Sequence, residues 1–164
     1  MVLFYVYPKN PRKDHWFSLL VLLILCFVVA GAGGMAATPN IPWYAGLVKP
    51  SWTPPSWVFG PVWSALYLCM AVAAWLVWRQ GNVAVSMMLF GVQLAFNAAW
   101  SWLFFGLHSP RAAFVDIILL LAAIIATAVS FWRCSTVAGI LFVPYLIWVS
   151  FVAVLNYAVW RLNS

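Results

Sequence analysis

The sequence predicts an all-α fold: an integral membrane bundle of five transmembrane helices, with a long loop between helices 1 and 2. Composition is the first reason. Of 164 residues, 67% are apolar and 6% are charged, against roughly 25% charged in an ordinary soluble domain. Eight basic and two acidic side chains cannot cover a water-exposed surface. The second reason is distribution, because the charges fall in short clusters and the apolar runs between them reach bilayer length.

Residues 1 to 15 form a basic N-terminal segment with Lys9, Arg12, Lys13 and Asp14, and Trp16 to Ala37 then runs without a charge for long enough to cross a bilayer. A secretory signal peptide is the rival reading, since a basic start, an apolar stretch and the small residues Ala30, Gly31 and Ala32 imitate its three regions. The apolar run continues past Ala32 and further spans follow, which favours a retained first helix. Pro61 to Trp78 is the second span, with Pro61 suited to the first helical position and Arg79-Gln80-Gly81-Asn82 ending it. Val83 to Phe105 is the third, Ala112 to Trp132 the fourth and Thr136 to Trp160 the fifth. Together they make a single membrane domain over residues 16 to 162. Three of the four connections are so short that consecutive helices are expected to be antiparallel neighbours.

Residues 38 to 60 are the exception. Pro39, Pro42, Pro50, Pro54 and Pro55 forbid a continuous helix there, while Trp43, Trp52 and Trp57 argue against a freely solvated linker. The segment is expected to fold over one mouth of the bundle, with a short helix near Trp43 to Val48. A long aromatic loop in a protein of otherwise minimal loops is where function is expected. With the N-terminus on one side, that side collects Lys9, Arg12, Lys13, Arg79 and Arg133, and the other collects Lys49, Arg111 and Arg161. The asymmetry favours a cytoplasmic N-terminus with the long loop outside.

Polar side chains in hydrocarbon are costly, so each one inside a span has a structural and a functional reading. Gln93 and Asn97 share a helical stripe with Trp100 and Phe104; Tyr145, Trp148, Val152 and Asn156 share a face of the fifth span, and Trp63 and Tyr67 of the second. The structural reading makes Gln93, Asn97 and Asn156 interhelical hydrogen-bond glue and the aromatics packing or interfacial belt. The functional reading rests on direction. Trp63, Tyr67, Asn97 and Trp100 lie in the half of the bundle next to the long loop, and with Trp148 they would wall an aromatic, sparsely polar cavity, the usual form of a site for a flat or greasy ligand.

Asp116, the only carboxylate inside a span, stands near the N-terminus of the fourth helix, where the dipole favours it; it would reach the interface or an interhelical partner. Both histidines, His15 and His108, lie outside the spans, so a proton relay has no further titratable groups. No nucleophile and base pair, dinucleotide fingerprint or zinc-binding motif is present, which speaks against a conventional enzyme and against a metal. The basic residues are too dispersed for a nucleic-acid surface. Cys26, Cys69 and Cys134 form no paired motif and read as buried small hydrophobes.

The run Trp43-Tyr44-Ala45-Gly46-Leu47-Val48-Lys49-Pro50-Ser51-Trp52-Thr53-Pro54-Pro55, followed by Trp57-Val58-Phe59-Gly60-Pro61-Val62-Trp63 and Leu66-Tyr67, resembles the signature of the TspO/MBR family, the tryptophan-rich sensory proteins and mitochondrial translocator proteins. The resemblance continues through Gln93-Leu94-Ala95-Phe96-Asn97, Trp100, Phe104-Phe105-Gly106, Asp116, Pro144-Tyr145-Leu146-Ile147-Trp148 and Leu155-Asn156-Tyr157, covering residues 16 to 162. It implies a five-helix bundle, commonly a homodimer, that binds porphyrin, haem and benzodiazepine-type ligands and needs no resident cofactor. Family ligand contacts carry over onto Tyr44, Pro54, Trp63, Tyr67, Asn97, Trp100, Trp148, Val152 and Leu155. A weaker sterol motif is matched by Leu155, Tyr157 and Arg161, implying membrane lipid and sterol as further partners. Val152 stands where the mammalian receptors have alanine, and Val149-Ser150-Phe151 replaces their Leu-Ala-Phe, which departs from sterol and bulky-drug binding. The function implied is a membrane binding protein for porphyrin-type tetrapyrroles and other flat hydrophobic ligands, sensory or transport-linked, in a bacterial cell envelope in preference to the mitochondrial outer membrane. Oxidative porphyrin breakdown by the pocket tryptophans, or a lipid- or sterol-binding scaffold, is the alternative.

Overall fold

In the computed structural model, residues 15 to 81 and 83 to 164 are described; residues 1 to 14, with Lys9, Arg12, Lys13 and Asp14, and residue 82 lie outside the described residues. The helices are α1 (His15–Ala37), α2 (Ile41–Gly46), α3 (Ser56–Trp78), α4 (Ala84–Ser101), α5 (Pro110–Cys134) and α6 (Thr136–Leu162). Five helical spans are long and apolar enough to cross a membrane, the first running through α1 and α2. The protein is a multi-pass integral membrane protein. Outward faces carry large apolar side chains such as Phe17, Val28, Val115 and Ile147, all exposed, while the polar residues Gln93, Asn97, Asp116, Thr127 and Asn156 are buried. That inversion follows from lipid as the solvent on the outer side.

The spans close into a ring in the order α1, α3, α6, α5, α4 and back to α1. The short connections do make α4 a neighbour of α5, and α5 of α6. They do not do so for α3 and α4, which barely touch because α1 packs against both. A short connection sets the antiparallel sense and joins two ends; it does not hold two helices together along their length. Gly33 helps α1 take that place, since a Cβ there would lie 2.9 Å from Ser101 Oγ of α4, and small residues allow such close approach in a bilayer.

The proline-rich segment is less irregular than its composition predicts. Pro39 and Pro42 fall in the first turns of the Thr38–Asn40 3₁₀ turn and of α2, where a missing N–H costs no internal bond. Only residues 47 to 55 are non-helical, because α3 begins at Ser56 rather than at Pro61. Pro61 is tolerated inside α3, and its neighbour Gly60 lacks the Cβ that would clash with the proline ring. At the other boundaries, Ser109 and Ser135 cap α5 and α6 by accepting from Ala112 N and Ala138 N, each at 3.4 Å, so α5 starts at Pro110, two residues before the expected Ala112. The end of α4 widens into a π turn over Trp102–Gly106, with Leu107 N donating to Trp102 O at 2.8 Å.

One set of contacts closes the segment on itself, and two strap it over the mouth of the ring. Lys49 Nζ donates to the carbonyls of Tyr44, Ala45 and Leu47 at 2.7, 3.0 and 2.8 Å, closing the C-terminal end of α2. Trp43 stacks on His108 with ring centroids 4.2 Å apart, and His108 Nε2 lies 2.8 Å from Asn40 Oδ1. His108 holds a φ of 49°, unusual outside glycine, so the α4–α5 turn presents its ring to the segment. Finally, Val48 N donates to Asn163 Oδ1 at 3.0 Å, and Asn163 Nδ2 donates to Val48 O at 2.9 Å and Val159 O at 2.7 Å. Only Cys26 of the three cysteines is fully buried; Cys69 and Cys134 are half-buried, with Cys134 Sγ 3.7 Å from Ser86 Oγ.

Asn163→Ala removes both hydrogen bonds to Val48. At about 0.5–1.5 kcal/mol for each bond, amide exchange at Val48 is expected to rise about fivefold or more while the middle of α6 keeps its protection. Hydrogen-exchange mass spectrometry of peptides spanning residues 44 to 52 measures it, and unchanged exchange would show that the clamp does not hold the segment.

Candidate functional site

Beneath the segment, the ring encloses a cavity of about 440 Å³. Its walls follow from the helical spacing. On the first span, Ala30, Gly33, Gly34 and Ala37 supply a wall almost without side chains. Phe59, Trp63 and Tyr67 come from α3, at a spacing that stacks them on one face. Asn97 and Trp100 of α4 continue into Phe104 and Phe105 of the π turn. Val152, Leu155, Asn156 and Val159 from α6 complete the wall, and Tyr44 of α2 projects into it from above. Rim residues Thr38 and Ile41 on the first span face Ser56, Gly60 and Ser64 on α3, and all five are exposed, so the cavity opens sideways between these two helices.

The rings interlock. Trp100 stacks on Phe104 with centroids 5.4 Å apart, Phe104 meets Phe105 edge-on at 4.9 Å, and Tyr44 meets both at 6.1 and 5.8 Å. Trp63 lies 5.9 Å from Tyr67 and edge-on to Tyr145 at 6.3 Å. Offset and edge-on pairs of this kind contribute about 0.5–1.5 kcal/mol beyond area burial, so the aromatic wall is stiff.

One directed chain of hydrogen bonds runs through the floor. Tyr67 OH donates to Asn97 Oδ1, Asn97 Nδ2 donates to Tyr145 OH at 2.9 Å, Tyr145 OH donates to Gln93 Oε1 at 2.9 Å, and Gln93 Nε2 points to Met70 Sδ at 3.8 Å. A second link sets the ring of Trp100, whose Nε1 donates to Asn156 Oδ1 at 3.0 Å while Asn156 Nδ2 donates to Pro110 O at 2.7 Å. Asn97 and Asn156 are therefore both interhelical links and cavity walls, whereas Gln93, fully buried and off the cavity, is a link alone.

Of the residues singled out in the sequence, Tyr44, Trp63, Tyr67, Asn97, Trp100, Val152 and Leu155 meet around the cavity. Pro54 and Trp148 do not. Trp148 packs edge-on against Phe59 at 5.6 Å and beside Phe151 at 5.5 Å, behind the wall, and its buried Nε1 has no hydrogen-bond partner among the described residues. Between Trp43 and Trp57 only Tyr44 and Ser56 reach the lining, so the segment supports the closing residues more than it forms them. The three residues of the sterol motif do not share a face: Leu155 is buried on the cavity, while Tyr157 and Arg161 are exposed. Asp116 is 7% exposed, and its Oδ2 has no hydrogen-bond partner among the described residues. Sequence reasoning passed over Phe59 and the small-residue wall. The run Ala30 to Gly34 carried that signal, since small residues in a span mark close approach.

A closed ring of membrane helices with an aromatic chamber at one end defines a class of protein, a multi-pass membrane protein with an internal, mostly apolar pocket of ligand size. The model of the TspO/MBR family matches residues 21–161, and the chain belongs to that family. It is 43% identical over 151 residues to the tryptophan-rich protein TspO of Chlorobaculum tepidum, covering 89% of this chain and 96% of that one. To the human translocator protein it is 45% identical over 126 residues, covering 74% of this chain and 75% of that one. The tryptophan-rich sensory protein of Cereibacter sphaeroides is 36% identical over 148 residues, covering 90% of this chain and 92% of its own.

Asn97→Ala leaves the hydroxyls of Tyr67 and Tyr145 without their shared partner. A loss of about 1–3 kcal/mol is expected, read as a shift in the denaturant midpoint of the detergent-solubilised protein. Gln93→Ala, at the far end of the chain of bonds, should cost less. Equal losses would mean that Asn97 is not the node.

Proposed function

We propose that this cavity binds a porphyrin-type tetrapyrrole, or another flat hydrophobic molecule, and that the protein acts as a sensory or transport-linked membrane binding protein. The supporting observation is the cavity itself, about 440 Å³ walled by Tyr44, Phe59, Trp63, Trp100, Phe104 and Phe105, with Tyr67, Asn97 and Asn156 as its inner polar groups and the hydroxyls of Thr38, Ser56, Ser64 and Ser101 elsewhere on the lining. Flat π-surfaces suit a conjugated macrocycle. Asn97 uses one Nδ2 hydrogen on Tyr145 and keeps the other for a ligand acceptor. Names such as sensory protein and translocator protein among the relatives agree with such a role without specifying the ligand.

Trp63→Ala is expected to weaken protoporphyrin binding by about 1–3 kcal/mol, through lost stacking and lost wall area. Trp148→Ala, acting only through Phe59, should weaken it less. Quenching of tryptophan fluorescence on titration measures both, and an unchanged affinity in a folded Trp63→Ala protein would move the ligand elsewhere. Following the porphyrin absorbance through the same titration separates binding from breakdown, because a bound and intact macrocycle keeps its bands.

Val152 is 2% exposed and packed into the α6 wall. Adding volume to a packed wall costs about 1–3 kcal/mol, and a rigid bulky ligand feels this more than a flat one lying against Tyr44 and Phe104. Val152→Ala is therefore expected to tighten a benzodiazepine-type ligand about tenfold, near the low end of that cost, while changing porphyrin affinity less. Paired titrations in one detergent test this; equal shifts for both ligands would show that Val152 is not a selective wall.

A further inference from the structure

At the membrane face opposite the cavity, α5 and α6 enclose a second recess of about 310 Å³ that shares no residue with the first. We propose that it is a binding site for an anionic phospholipid, with an acyl chain in the groove and the headgroup phosphate on Arg133. Three observations support this. The groove runs from Trp132 and Arg133, at the end of α5, along Gly139, Phe142 and Leu146 of α6, so its long axis follows the helices as a lipid chain does.

Its wall is built by one close fit. A Cβ on Gly139 would lie 2.5 Å from the Trp132 ring, so the indole packs directly against the α6 backbone and, half exposed, forms one side of the groove. Its chemistry has one polar element. Among the described residues Arg133 is the only charged one lining the groove; it is exposed and makes no hydrogen bond or ion pair with them. An unpaired guanidinium above an apolar groove fits a phosphate attached to hydrocarbon, because the fork of N–H donors matches phosphate oxygens. A sterol, with a single hydroxyl, has no need of the cation. Arg79, at the end of α3 on the same membrane face, lies 4.6 Å over the Trp75 ring and outside the groove, which makes it the internal control.

The test is native mass spectrometry of the intact chain from micelles containing phosphatidylglycerol or phosphatidylcholine with identical acyl chains. Phosphatidylglycerol should be retained preferentially. Arg133→Gln should lower that retention about fivefold, the factor that corresponds to roughly 1 kcal/mol for one basic residue at a lipid surface, and leave phosphatidylcholine unchanged. Arg133→Lys should keep part of the preference, and Arg79→Gln should keep all of it. Leu146→Trp, filling the groove, should lower retention of both lipids in a protein whose circular dichroism is unaltered. Equal retention of the two lipids by the wild type would overturn the proposal, as would no effect of Arg133→Gln. So would an equal loss in Arg79→Gln, which would reveal a diffuse surface potential. Displacement by millimolar inorganic phosphate would point to a free-anion site, and retention by the monomer alone would assign the groove to a second copy of the chain.

Discussion

Helices in a bilayer gain nothing by hiding apolar surface from one another, because the lipid tails outside are as apolar as the side chains. A ring of five spans therefore depends on close packing and on the few polar groups that find partners only inside. Here those groups converge on Asn97. From one position on α4 it reaches Tyr67 on α3 and Tyr145 on α6, two helices that α4 does not follow directly around the ring. The link crosses the interior, and the cavity lies on the loop side of it. Together with the Trp100–Asn156 link, that crossing gives the aromatic walls a common frame.

The same crossing divides the molecule in two. On one side, Trp63, Trp100, Phe104 and Phe105 surround open space. On the other, Met70, Ala74, Phe90, Phe131 and Phe142 are buried, with Phe131 and Phe142 edge-on at 5.0 Å. Alanines on α3 are fully buried in that half, whereas on the loop side Gly33 and Gly34 of α1 line the cavity together with the large rings. The volume of the cavity is thus a consequence of where small and large residues face each other.

Much of this was legible in the sequence because lipid makes the pattern severe: charges mark helix ends, and a polar residue in mid-span marks the interior. The Gln93, Asn97, Trp100, Phe104 stripe followed from spacing alone, and all four are buried. Neighbour order was not legible. A connection as short as that between α3 and α4 constrains their ends, and only the packing of α1 at Gly33 decides what lies between them. Pro61 misled because its cost was judged without Gly60 beside it. The clamp at Asn163 was not legible either, since its partners are the backbone groups of Val48, which lies 115 residues away in the chain. Trp148 shares a helix face with Val152, yet the Phe59 ring stands between it and the open space.

The sideways opening between the first span and α3 changes the reference state for anything that enters there. A guest arriving from the acyl chains leaves a medium already as apolar as Phe59 or Val152, so transfer from lipid brings no gain from shedding water. Discrimination among greasy molecules then falls to outline and to the few polar groups of the lining, Asn97 and Asn156 among them. Two compounds of equal oil solubility should be separated by their flatness and by where they carry an acceptor. Raising the partition coefficient alone would raise the concentration in the bilayer while leaving selectivity where it was.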